Sequence, residues 1–341
     1  MWPTFVNLYK TLRRKYRLSG VMKRNAIEPD SVLSAKMVIF GPWLGEVGPE
    51  LQYWIPFIRQ LKKDFFRHKK TVVISRGAVQ SWYGDFADNY LELFNHLTLE
   101  QYRELREKVV KTTGLEKQLY ESSAEKQIIK SICLKKEFPD AYIIYPSMMW
   151  QVVWPWSEGK ISLENLVSQL TFEKIKPDVN IGRFVDELGL PEKFAVMKFY
   201  ASSLFPKNKA NSLFIRNLLA KLVKRSAVVV LNNKSVDNHP VFDISAGKRI
   251  TILERNFPVE SNLGIQTEII RRSSCFYGTN GGFNVIPALV GRPAVAFFST
   301  PLSKFMPAYS QHEMIARRIF DNFGSNNYTV LSTDAWLNIV F

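Results

Sequence analysis

Cysteine is almost missing from this chain. Cys133 and Cys275 are the only two in 341 residues, which excludes a disulfide framework and suits a reducing compartment. Long apolar runs are missing too: Ala227 to Leu231 and Pro293 to Phe298 fall far short of the roughly 18 residues that a bilayer-spanning helix needs. The four histidines, His68, His96, His239 and His312, are scattered without metal-ligand spacing. No Asp-x-Asp pair occurs, so a metal-bound diphosphate site of that form is not encoded, and neither metal nor cofactor is expected. A GxGxxG fingerprint, a GxxxxGK[ST] loop and a GxSxG elbow are all lacking, which removes the main support for dehydrogenase, P-loop NTPase and α/β-hydrolase assignments. No internal repeat or low-complexity tract is visible.

Basic side chains are plentiful: 46 Lys and Arg stand against 31 Asp and Glu, a formal net charge of +15. Such a surface attracts polyanions, whether nucleotides, nucleic acids or acidic lipids. The aromatic and basic residues form no recognisable single-strand platform, so no nucleic-acid partner is expected. Residues 1–27 carry Lys10, Arg13, Arg14, Lys15, Arg17, Lys23 and Arg24 without one acid. Phe5, Leu8, Tyr9, Leu12 and Tyr16 share one face at helical spacing. That pattern fits a helix in an anionic lipid interface, where each basic residue contributes about 1 kcal/mol; a solvated tail, or a helix packed on the body of the protein, fits equally. No apolar core follows the charges, so a signal peptide is not expected.

From Lys36 onward short apolar runs alternate with amphipathic stretches, the pattern of β/α units around a mostly parallel sheet. Strands are expected at Met37 to Phe40, Thr71 to Ser75 and Ala141 to Tyr145, with a charged helical region from Leu99 to Lys136. Pro155 to Pro191 reads as a connector with one or two helices. A second series follows: strands at Phe194 to Tyr200, Ala227 to Leu231, Arg249 to Leu253, Cys275 to Tyr277 and Ala294 to Phe298, and a helix from Ala210 to Lys224.

Near the carboxyl end, a strand runs into Gly278-Thr279-Asn280-Gly281-Gly282-Phe283-Asn284, and a short helix then stops at Gly291. Pro287 is tolerated only in the first helical turn, which sets the helix start near Asn284. Glycines here allow the backbone to approach a diphosphate closely at a helix N-terminus, or they merely make a tight β-to-α turn. After the first strand comes Gly41-Pro42-Trp43-Leu44-Gly45-Glu46-Val47-Gly48-Pro49-Glu50, then an apolar stripe at Leu51, Trp54, Ile55, Ile58 and Leu61. Pro56 should kink that helix or delay its regular part. Glu46 and Glu50 stand at the carboxyl end of a strand, where open α/β sheets bind ligands. Each is a general base or a helix cap. Several aromatics of the first half, among them Trp43, Tyr53, Trp54, Trp82, Tyr83, Trp150, Trp154 and Trp156, could stack on sugar or simply fill the core.

Together the Gly45-Glu46 loop with its Pro56-containing helix and the distant Tyr277 to Gly282 turn with Gly291-Arg292-Pro293 resemble glycosyltransferases of the two-Rossmann GT-B type, nearest the heptosyltransferase-like branch. In that branch a Gly-Asp supplies the base and a Gly-x-Asp-x-Gly turn holds the donor phosphates; here Glu46 and Asn280 replace the two acids. The resemblance implies two facing Rossmann-like α/β domains with an interdomain cleft: a basic segment 1–30, an acceptor-side domain 31–190 and a nucleotide-sugar domain 191–341. It implies Glu46 and Lys198 as catalytic residues. Donor contacts fall to Ser202, Ser203, Asn232, Asp237, His239, Gly278, Thr279, Asn280, Gly281, Gly282 and Asn284, and acceptor contacts to Trp43, Gly45 and Glu50. The partners implied are a nucleotide-sugar donor and a glycan or lipid-linked acceptor of surface polysaccharide synthesis, at a cytoplasmic site on the inner face of the membrane. A pyruvyl transferase and a non-catalytic polyanion-binding protein are the alternatives.

Overall fold

Met37–Phe40 (β1) forms the first strand, and Lys70–Ser75 (β2), Asn89–Glu92 (β3) and Tyr142–Ile144 (β4) join it in one parallel sheet of order β3-β2-β1-β4. The computed structural model describes residues 35–113, 117–136, 138, 140–232, 240–253, 257–299, 308–323 and 327–337; the amphipathic segment expected within residues 1–27 lies outside them, as do Asp237 and His239. Val38, Ile39 and Phe40 are wholly buried, because a strand covered on both faces reads as an unbroken apolar run.

The helix after β1 starts irregularly. A widened turn over Glu50–Trp54 precedes the regular helix α1 (Ile55–Asp64), with Pro56 in its first turn. Proline has no N–H to donate four residues back and its ring crowds that carbonyl, so the ladder opens before it and resumes after it. The delay expected from Pro56 is found. Further along, the charged stretch splits into α2 (Leu99–Thr113) and α3 (Ser123–Lys135), and α3 starts on a reciprocal cap between Ser122 and Glu125.

A second parallel sheet holds Phe194–Lys198 (β5), Ala227–Val230 (β6), Ile250–Ile252 (β7), Phe276–Thr279 (β8), Ala294–Phe298 (β9) and Tyr328–Ser332 (β10). Its spatial order is β10-β9-β8-β5-β6-β7. Counted from β5, the order is three, two, one, four, five, six, that of dinucleotide-binding sheets. One face is built on Phe199, Phe205, Phe214, Leu218, Phe242 and Phe297.

The chain divides into two compact units. The first comprises residues 1–46, 53–76 and 83–171; the second comprises 47–52, 77–82 and 172–341. The expected boundary at residue 190 therefore differs from the division after Thr171. Segment 172–190 is fastened to the second unit: Ile175 N–H donates to Leu289 O at 2.9 Å, and Arg272 reaches Gly182 O at 2.9 Å and Asp186 at 2.6 Å. Segment 77–82 belongs there too, through Trp82 Nε1 on Thr267 Oγ1 and Gly264 N–H on Gly77 O.

The second unit also holds a pH-sensitive group. Burial pushes the His312 imidazole down to about 4, and its carbonyl accepts from Gln52 Nε2 at 2.9 Å. A neutral native imidazole that protonates in the unfolded chain favours folding above the ordinary pKa of 6.5. That contribution is lost as pH falls from about 6.5 toward 4, to a limit of about 3 kcal/mol. Denaturation of the second unit followed across that window should show this slope, and His312→Gln should flatten it.

Candidate functional site

In the second sheet the strand order reverses between β5 and β8, and ligands of open α/β sheets bind outside the carboxyl ends of strands at such a point. Lys198 ends β5, and Gly278 and Thr279 end β8, with Lys198 paired in register to Gly278. Beyond them the two strands are clasped. Thr279 Oγ1 donates to Tyr200 O at 2.9 Å and accepts from Tyr200 N–H at 3.1 Å. Gly282–Asn284 makes a tight turn that opens the short helix α4 (Val285–Leu289), and Gly291 at φ +74° ends it. The predicted strand–turn–helix unit is present, with Pro287 in its first turn.

The glycines of that turn are demanded by protein neighbours. A side chain at Gly278 would lie 2.6 Å from Lys198 O, one at Gly281 would strike Tyr200 Oη, and one at Gly282 would strike Gly48 N and approach Gly48 Cα to 2.7 Å. The space in which a Cβ would project is therefore filled by Lys198, Tyr200 and Gly48.

Lys198 is buried, only 2% exposed, and its ammonium stands 4.5 Å from the Phe283 ring centroid. Tyr200 packs edge-on against Phe283, with ring centroids 6.4 Å apart at 62°. Asn284 is buried, with Nδ2 3.4 Å from Asn280 Oδ1, and Asn280 N–H donates to Phe297 O at 2.8 Å. Lys198, Gly278, Thr279, Asn280, Gly281, Gly282 and Asn284 thus share one end of the sheet. Ser202 makes a local turn, its Oγ accepting from Phe205 N–H at 3.2 Å, while Ser203 is exposed and Asn232 half-buried after β6. Tyr200 and Phe283 belong to the cluster and are missed by motif reading; the signal available is an aromatic in the loop that follows each strand.

Cys275 precedes β8 and Tyr277 lies within it. Burial pushes the Cys275 thiol up to about 11 and the Tyr277 phenol upward as well. Neither is a nucleophile near neutral pH.

In the first unit, the reversal of strand order lies between β1 and β4, and the Gly41 to Glu46 loop leaves β1 there. Gly41, at φ +124° before a cis proline, accepts no side chain: a Cβ would strike Ile74 O. Trp43, expected on the acceptor side, is instead wholly buried and stacks on Trp54 at 5.8 Å and 23°. It forms the floor of the loop. Gly45 is pressed against that ring, where a Cβ would come within 2.8 Å. Glu50 is wholly buried in the first turn of the helical segment, so an acceptor does not reach it in this conformation. Tyr53, Trp54, Trp82, Tyr83, Trp150 and Trp156 are buried as well, which leaves half-buried Trp154 of the aromatics proposed for stacking. Glu46 differs from all of these. From Val38 to Arg59 it is the single exposed residue.

Among the described residues, no three His, Cys, Asp or Glu side chains converge as metal ligands, and no helix is long and apolar enough to cross a membrane.

No protein-family model and no curated protein matches the chain. Solved structures do match. The ADP-heptose LPS heptosyltransferase II of E. coli is 11% identical at a TM-score of 0.45, covering 87% of this chain and 90% of its own. A glycosyl transferase family 9 protein from Veillonella parvula is 14% identical at 0.45, covering 90% and 89%. The UDP-GlcNAc 2-epimerase of Methanocaldococcus jannaschii is 10% identical at 0.38, covering 89% and 91%.

Proposed function

We propose that the chain is a metal-independent glycosyltransferase, moving a sugar from a nucleotide-sugar donor to a hydroxyl of a glycan or lipid-linked acceptor. The observation that carries the reading is the switch point of the second sheet, where Lys198 and the Gly278 to Asn284 turn stand together at the carboxyl ends of β5 and β8. A diphosphate suits that place: it gains from helix amides and from a buried cation. Glu46 supports the other half of the reaction, as the one carboxylate presented by an otherwise buried loop.

In this reaction the acceptor oxygen bonds to the anomeric carbon, the bond from that carbon to the diphosphate breaks, and the acceptor proton passes to Glu46. Lys198 and the turn amides take up the charge that develops on the departing diphosphate. With a lipid-linked acceptor, residues 1–27 would hold the enzyme on the anionic inner face of a membrane, in surface polysaccharide synthesis.

A thermal-shift screen of nucleoside diphosphates and their sugar conjugates tests the donor. At 100 times its dissociation constant a ligand adds about 2.7 kcal/mol, a rise of about 5 to 11 °C for a unit of this size. Lys198→Ala should cut affinity at least about tenfold and the transfer rate by about 100 to 1,000-fold. A screen without any shift would remove the donor assignment.

A further inference from the structure

We propose that Arg76 is a positioning residue for Glu46; the functional part of this inference rests on the base assigned above. Arg76 follows β2 and is wholly buried, an unusual place for a guanidinium. Its Nη2 donates to Gly45 O at 2.6 Å. That oxygen belongs to the peptide plane on the amino side of the Glu46 Cα. On the carboxyl side, Trp43 Nε1 donates to Glu46 O at 3.2 Å. Each peptide unit is rigid, so fixing both planes fixes φ and ψ of Glu46 and leaves only its side-chain rotations. One residue earlier, Tyr102 Oη donates to Leu44 O at 3.3 Å. Three successive carbonyls, Leu44, Gly45 and Glu46, are therefore held by three side chains, from α2, from the end of β2 and from the loop itself.

A loop that needed only to connect β1 to the following helix would turn its carbonyls to water. This one holds its carbonyls on buried donors and exposes a single carboxylate, the arrangement of a group kept in place for chemistry. Arg76 differs from Trp43 and Tyr102 in carrying charge. Its guanidinium donates a charge-assisted hydrogen bond to the peptide next to Glu46, the shortest of the three restraints.

The test uses the full chain and needs no substrate. Hydrogen exchange gives the mobility of the Glu46 and Val47 amides, read against the global stability of each variant. Arg76→Met should speed exchange of these two amides at least tenfold, beyond any change in global stability, whereas Arg76→Lys should recover part of the protection. Trp43→Phe and Tyr102→Phe should speed exchange less, because each removes a longer, uncharged hydrogen bond. Unchanged exchange in folded Arg76→Met overturns the inference. Should that variant not fold, unchanged exchange in both Trp43→Phe and Tyr102→Phe overturns it. Full transfer by Glu46→Gln overturns the base assignment instead, a separate outcome read in a separate assay.

Discussion

Glu46→Gln is expected to lower sugar transfer by about 10² to 10⁴-fold while leaving nucleoside-diphosphate affinity within a factor of two. Glutamine preserves the length and hydrogen-bonding reach of the side chain and removes only its capacity to accept a proton. Binding of donor should be indifferent to the change, since the phosphate-side residues, Lys198 and the Gly278 to Asn284 turn, belong to the other unit. The surrounding loop should be indifferent as well. Its backbone is held through Leu44 O, Gly45 O and Glu46 O, none of which involves the Glu46 carboxylate. Glu46 is exposed, and a surface substitution shifts stability by about 0.5 kcal/mol, so melting temperature separates lost chemistry from lost fold. The acid limb of the rate profile should vanish with the carboxylate. Retained transfer would show that the acceptor proton leaves by another route.

Much of the fold is legible in the sequence because its central strands are. Met37–Phe40 and Ala294–Phe298 are marked by unbroken apolar runs, since both faces of each are covered. Asn89–Glu92 and Tyr328–Ser332 escape that reading. They are edge strands, no residue of either is fully buried, and Asn89, Glu92, Thr329 and Ser332 interrupt the apolar pattern. The turn at Gly278 to Gly282 is visible from its glycines, but their reason is not. Sequence suggests room for a ligand, whereas Tyr200 and the Gly48 backbone fill the positions where side chains would stand. Trp43 misleads in the same way: an aromatic beside an acidic loop looks like a sugar platform, and its stacking on Trp54 puts it in the core. Arg76 is invisible to motif reading because its role depends on a carbonyl 31 positions away.

Gly282→Ala should be the most damaging single methyl in the second unit, costing about 3 kcal/mol and lowering its transition by about 6 to 12 °C. The new Cβ meets the nitrogen and Cα of Gly48, both main-chain atoms, so no side-chain rotation relieves the overlap. Either the turn or the 47–52 segment must move. Because the same turn presents the amides assigned to the diphosphate, the loss of stability should come with a loss of nucleotide affinity. Two other glycines isolate the cause. Gly281→Ala overlaps only the far end of a side chain, Tyr200 Oη, so Tyr200→Phe in the same chain should recover much of what the alanine costs. Gly291→Ala has nothing within 4 Å and suffers only from its backbone angle of +74°, which costs about 1 to 2 kcal/mol; nucleotide affinity should not change. If Gly282→Ala melts no lower than Gly291→Ala, then backbone contact between Gly48 and Gly282 is not what holds the phosphate turn in place.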